Sequence, residues 1–279
     1  MGISIMELYK SEFERIWKRR LTWICFILIP LSIAGASKYY LSNNYSHAVT
    51  SAEFVSFGNY PFMIFQKVLV TLFNIFTMLF VCMCVTEEYR SGEIRLVMIR
   101  GYSFLEIYFA KVAAIITTML IFFLIFFLLS TVWGYFAATR LDKVMLFYHS
   151  NSVTILKAFL YSGKYYALGF LTTMAMLSVF MVFAVKCKTV TGAMGCSIAV
   201  IIGGLVFSEV IIYFGSILGK NLITHLYFST ITKIQHLGIC MVLSEKPTLA
   251  PWIIIVLISH IIFFGGIACR IFTKEDHLI

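Results

Sequence analysis

Charged residues are scarce in this chain. Asp, Glu, Lys and Arg together make only 13% of 279 residues, where a soluble globular domain carries about one quarter. With 61% hydrophobic residues, the shortage excludes an ordinary soluble enzyme and a disordered chain. A phosphate loop is missing as well. No G-x-x-x-x-G-K-[ST] occurs, and Gly163-Lys164 is followed by Tyr, Gly219-Lys220 by Asn. The six histidines are scattered, without HExxH spacing. Cys82 and Cys84 stand too close together for a metal clip. Most of the seven cysteines fall in or beside apolar runs, as small buried residues do. A disulfide framework is therefore not expected. A cleavable signal peptide, internal repeats, low-complexity tracts and linkers are also absent from the pattern.

What the chain has in quantity is apolar sequence, with a mean hydropathy of +0.93. The apolar residues come in long blocks rather than in alternation, which argues for membrane-spanning helices and against a transmembrane barrel. A crossing helix needs about 20 apolar residues. Six stretches meet that length: Leu21–Tyr40, Pro61–Thr86, Val112–Thr139, Tyr165–Val185, Thr189–Phe214 and Pro247–Cys269. The expected fold is an all-α polytopic membrane protein with six transmembrane helices in one domain over residues 1–279.

The first twenty residues form a different kind of helix. Ser4 with Glu7 fits a capping box. Ile5, Leu8, Tyr9, Phe13, Ile16 and Trp17 then recur at helical spacing, with Lys10, Arg15, Lys18, Arg19 and Arg20 mostly off that face. This predicts an amphipathic interfacial helix leading into the first span. Between spans five and six, residues 215–246 are apolar yet carry His225, Lys233, Gln235 and His236. They are expected to form short outer helices, irregular or re-entrant, packed against protein or lining a wet cavity.

Placing the N-terminus inside puts 13 Lys and Arg on inner segments and 8 on outer ones. That bias favours both termini in the cytoplasm. The net charge of +9 then reflects loops that face anionic lipid rather than nucleic acid. Two ionisable residues lie well inside predicted spans, Lys67 and Glu209. A charge at the bilayer centre costs at least about 2.5 kcal/mol. The two fall at similar depth near the outer end, where they could pair, line a translocation path, or each snorkel or meet another polar group. Asn74 and Gln66, with Thr71 and Thr77, face either that path or another helix. Gly192, Gly195, Gly203 and Gly204 in span five suit close helix approach, within a subunit or between two.

The densest charged patch joins spans two and three. Glu87 and Glu88 close span two, Arg90, Glu93, Arg95 and Arg100 surround a short apolar stripe, and Ser103 with Glu106 forms a second capping box that restarts a helix running into span three. Glu87-Glu88 also approaches the EExxxR pattern of membrane metalloproteases, but Gly92 stands where the Arg is required.

This segment resembles the inner loop of ABC-2 type permeases, the membrane subunits of one class of ABC exporter. Glu88, Arg90, Gly92, Arg100, Ser103 and Lys111 follow that family's order of residues. Gly101 departs where Pro is usual, and Phe104 where Arg or Lys is usual. The layout of elbow helix, six spans and irregular outer segment is similar over nearly the full length, and the small size resembles exporters of antimicrobial or amphipathic peptides such as bacitracin and lantibiotic immunity transporters.

The resemblance implies that Glu87, Glu88, Arg90, Gly92, Arg95, Arg100 and Ser103 belong to a coupling helix seated in a separate ATPase subunit. That subunit would hold ATP and Mg²⁺, leaving this chain without a cofactor or catalytic site of its own. A second permease subunit, identical or homologous, would complete the pathway, and Lys67, Asn74 and Glu209 are candidates to line it. The expected setting is the plasma membrane of a bacterium. The competing readings are a non-transport assembly or anchor subunit, which needs no coupling loop, and an intramembrane hydrolase.

Overall fold

Six helices are long and apolar enough to cross a membrane among the described residues, which in this computed structural model are 5–88, 101–214 and 219–274. The chain is a multi-pass all-α membrane protein. In chain order, α1 (Ile5–Lys18) is the amphipathic helix and α2 (Arg20–Asn43) the first span. The second span is one rod from Tyr60 to Thr86, made of α3 (Tyr60–Val68), a π-turn (Leu69–Phe73), α4 (Asn74–Val81) and a second π-turn (Cys82–Thr86). The third and fourth spans are α5 (Phe104–Ala137) and α6 (Ile155–Lys186), joined through the two-residue ladder Lys143–Val144 with Val153–Thr154. The fifth span is α7 (Val190–Tyr213).

Residues 219–242 then form α8 (Lys220–Tyr227), α9 (Ile231–Lys233), a π-turn (Ile234–Gly238) and α10 (Ile239–Val242). The last span is α11 (Ala250–Lys274). The short helices expected between spans five and six are thus present. Ser4, half of the first capping box, lies outside the described residues.

Two helices begin well before the apolar runs that announce them. α5 starts at Phe104 rather than Val112, because Ser103 accepts from the Glu106 amide while the Glu106 carboxylate accepts from the Ser103 amide. This is the predicted capping box, which satisfies two orphan donors at once. Gly101 precedes it with φ +87°, a backbone that favours glycine. α6 starts at Ile155 rather than Tyr165 and carries Lys157 and Lys164 in its first turns. Backbone hydrogen bonds do not stop where the apolar run stops.

Burial separates the centre of the bundle from its rim. In the most apolar part of the second span 72% of residues are buried inside the protein, against 11% in α7. An apolar helix with so few protein contacts has its remaining surface for lipid or a second subunit. The centre is aromatic. Phe65 stacks on Tyr166 with ring centroids 4.0 Å apart, and Phe73, Phe123 and Phe126 surround the pair. Gly169 is required there, since a Cβ at that position would lie 2.6 Å from the Phe65 ring. All seven cysteines are free thiols.

Candidate functional site

The two ends of the bundle each concentrate polar groups. The first we call the elbow end, where α1 lies along the start of α5 and against the base of the second span. On α1, Leu8, Glu12 and Ile16 are buried. Their spacing of four places all three on one face. Glu12 therefore points into the protein with the apolar stripe. It meets Lys111 of α5 at 2.9 Å. Lys111 also donates to Glu88. Arg15 lies 2.8 Å from Glu88 and 3.6 Å from Glu12. Arg19 lies 2.6 Å from Glu87 and 3.5 Å from Glu88.

Among the described residues, Glu12, Glu87 and Glu88 thus face Arg15, Arg19 and Lys111, three carboxylates against three cations. Lys111 and Glu88 are each 1% exposed. Charges so far from water persist only when paired and hydrogen-bonded. Tyr9 adds a hydrogen bond to Thr117 of 3.1 Å, and Thr86 donates to the Ala184 carbonyl at 2.8 Å. The junction therefore ties α1, the end of the second span and α5 together, with α6 attached through Thr86.

This geometry separates the residues assigned to a coupling helix by resemblance. Glu88 is enclosed in the junction, while Glu87 is half-exposed at its edge, held by Arg19. Ser103 caps α5. Arg90, Gly92, Arg95 and Arg100 lie outside the described residues. Glu12 and Arg15 are the functional residues that sequence reasoning missed. The signal was present in Glu12, a carboxylate on the apolar face of an amphipathic helix.

At the far end, a cavity of about 800 Å³ opens between α2, α3, the first π-turn, the loop before α6, and the π-turn of residues 234–238. Tyr39, Tyr40, Gln66, Lys67, Thr71, Tyr148, His236 and Cys240 are among its lining residues. Two of the three π-turns in the described structure form part of its wall. Such turns are rare and occur often at functional sites. Gln66 donates to the His236 carbonyl at 2.9 Å, which bridges the second span to the short helices. About two helical turns further along the second span, Asn74 and Gln235 exchange amide hydrogen bonds of 2.7 and 3.0 Å in full burial.

The three candidates for a translocation path do not converge. Lys67 lines the cavity, its ammonium 4.2 Å from the centre of the Tyr39 ring. Asn74 is buried against Gln235. Glu209 is paired with Lys233 at 2.8 Å, which corrects the expectation that it could pair with Lys67. Lys233 reaches it from the short helices and also lies 4.6 Å from the Tyr227 ring. Of the four uncharged groups read from the second span, Gln66 and Thr71 reach the cavity, while Asn74 and Thr77 pack inside the protein.

Electrostatics at the far end follow the same geometry. Burial, with Lys233 and Lys67 nearby, holds His236 below its ordinary range. It is therefore a neutral imidazole near pH 7. Burial works to lower Lys233, but Glu209 and Tyr227 outweigh it and leave the ammonium raised. Glu245 accepts from the Ser150 hydroxyl at 2.7 Å and the Ser150 amide at 3.0 Å, and these bonds hold its carboxyl below the usual carboxylate range.

No group of three or more potential metal ligands occurs among the described residues. No curated protein matches the sequence. The family described as "Protein of unknown function (DUF2705)" matches residues 23–278, nearly the full length, and the chain belongs to that family.

Proposed function

We propose that this protein is the membrane subunit of an ATP-driven exporter of the ABC-2 type. It moves a hydrophobic or amphipathic substrate, an antimicrobial or amphipathic peptide or a lipid-like molecule, out of the cytoplasm or the inner leaflet. ATP is hydrolysed by a separate subunit, and a second membrane subunit completes the pathway. Both termini face the cytoplasm, which makes the elbow end the inner end.

The observation that carries this reading is the buried ionic junction. A segment that receives a mechanical stroke must be joined to the spans stiffly, or the stroke is lost in local flexing. Residues 89–100 begin immediately after Glu88, and Glu88 is held from three sides by Arg15, Arg19 and Lys111. A displacement of that loop is passed at once to α1, to α5 and to the aromatic centre. An anchor or assembly subunit needs no coupling loop. In the resemblance to ABC-2 permeases, the loop is the part that seats in the ATPase.

The test is reconstitution of the chain in proteoliposomes with an ATPase subunit that co-purifies with it. ATP hydrolysis should rise several-fold with an amphipathic peptide substrate. Disrupting the junction with Glu88→Gln should uncouple hydrolysis from substrate while the complex still assembles. A complex whose hydrolysis ignores every amphipathic substrate tried would count against transport.

A further inference from the structure

In the far-end cavity one cation lacks a carboxylate partner. Among the described residues Lys67 makes no ion pair, and its ammonium lies over the face of Tyr39. The cavity's one acidic lining residue, Glu53, is engaged by His47 at 2.9 Å. Glu209 is engaged by Lys233. Lys67 is therefore left without an anionic partner on an otherwise uncharged span. Contact with an aromatic ring holds an ammonium in place but does not neutralise it. A second feature points to a ligand. The cavity wall includes two facing π-turns, bridged by Gln66 and by the Asn74–Gln235 pair, so its shape is fixed by hydrogen bonds between elements. Its volume falls in the range of small-molecule sites, roughly 300–1,000 Å³.

The geometry points to a binding site for the anionic headgroup of an amphiphile, a single phosphate or carboxylate on an apolar chain, with Lys67 as its counter-charge. Around that position stand Tyr39, Tyr40, Gln66, Thr71 and His236. Hydroxyl and imidazole groups can donate to anionic oxygens, and the tyrosine rings offer apolar surface to the first carbons of the chain. At the Lys67 position a cationic headgroup is disfavoured, because it would be set beside a like charge. As a stage in export this site rests on the transport reading above; as a binding site it does not.

The test uses the full chain in nanodiscs of zwitterionic lipid, without any ATPase, so that an empty cavity and a missing ATPase are separate results. The probes are octyl phosphate, inorganic phosphate and octyltrimethylammonium, followed by thermophoresis. Octyl phosphate should bind saturably. Lys67→Gln should weaken it about tenfold or more, as expected for a lost charge-assisted contact, and Lys67→Arg should hold it within about threefold. Thr71→Trp, which fills the cavity and keeps the charge, should also abolish binding, and unchanged thermal melts establish that each variant is folded. Binding of octyl phosphate indifferent to both Lys67→Gln and Thr71→Trp overturns the site. So does Lys67-dependent binding of octyltrimethylammonium. Inorganic phosphate competing at the same concentration as octyl phosphate overturns the amphiphile and assigns the subsite to a free anion.

Discussion

Six ionisable groups meet at the elbow end in a junction whose centre, Glu12, Glu88 and Lys111, is dry, each matched by an opposite charge, while at the far end Lys67 looks into a cavity with no ion pair of its own among the described residues. The same residue types serve opposite purposes. Deep in the protein, a fully compensated cluster fixes the relative positions of three elements, because breaking it strands a charge in a poor solvent for ions. An uncompensated cation beside an open cavity fixes nothing and is free to meet a ligand. Stiffness at one end and availability at the other is the division of labour expected of a subunit driven from one side of the membrane.

That contrast can be broken or sharpened by mutation. The largest effect is expected at the junction. Lys111→Met leaves Glu12 and Glu88 short of a cation and should cost about 3–5 kcal/mol of unfolding free energy in mixed micelles. Glu12→Gln added to it should recover part of that loss. A smaller effect is expected from the neutral pair below the cavity. Asn74→Leu leaves the Gln235 amide unanswered in full burial and should cost about 1–2 kcal/mol, measured the same way. The outer ion pair should matter less again. Glu209 lies about one turn from the end of α7 and is not enclosed by protein, and Lys233 keeps the Tyr227 ring, so Glu209→Gln should cost less than Lys111→Met in the same assay. If Glu209→Gln proves as costly as Lys111→Met, burial is not what separates the two ends.

The smallest effect is a local one, read by pH. Because the Glu245 carboxyl is depressed in the fold, its contribution is fully present above the ordinary carboxylate value, about 4.3. It is lost as pH falls through the lowered folded value. Hydrogen exchange at the Ser150 amide, corrected for the intrinsic rate, should stay protected from pH 7 to 5 and open only below that window. Glu245→Gln should weaken the protection between pH 5 and 7 and remove its pH dependence. Opening already at pH 6 would mean that another group controls this contact.

Much of the fold was legible because long apolar runs allow few alternatives. All six spans, the amphipathic first helix and the Ser103–Glu106 cap could be read from residue type and spacing. The site was legible only in pieces. Lys67 stood out because a lone charge in an apolar run is conspicuous. The partner of Glu209 was not legible, since it is Lys233, brought there by short helices whose packing has no sequence periodicity. The π-turns left no mark either, because each inserts one residue into an otherwise ordinary apolar helix. Glu12 could have been found by asking which buried cation its helical face would meet. Lys111 stands out only through the family resemblance, which says nothing of a partner on the first helix.

The central claim is that the loop between the second and third spans grips an ATPase. The most direct measurement is affinity purification of the tagged full chain from membranes of cells that express its neighbouring genes, followed by identification of what stays bound. A subunit with a Walker A motif should co-purify at a fixed ratio, and the pair Arg95→Glu and Arg100→Glu should release it while the chain remains folded in the membrane. Recovery of the chain without any ATPase, or an ATPase that stays bound when both arginines are reversed, would contradict the account.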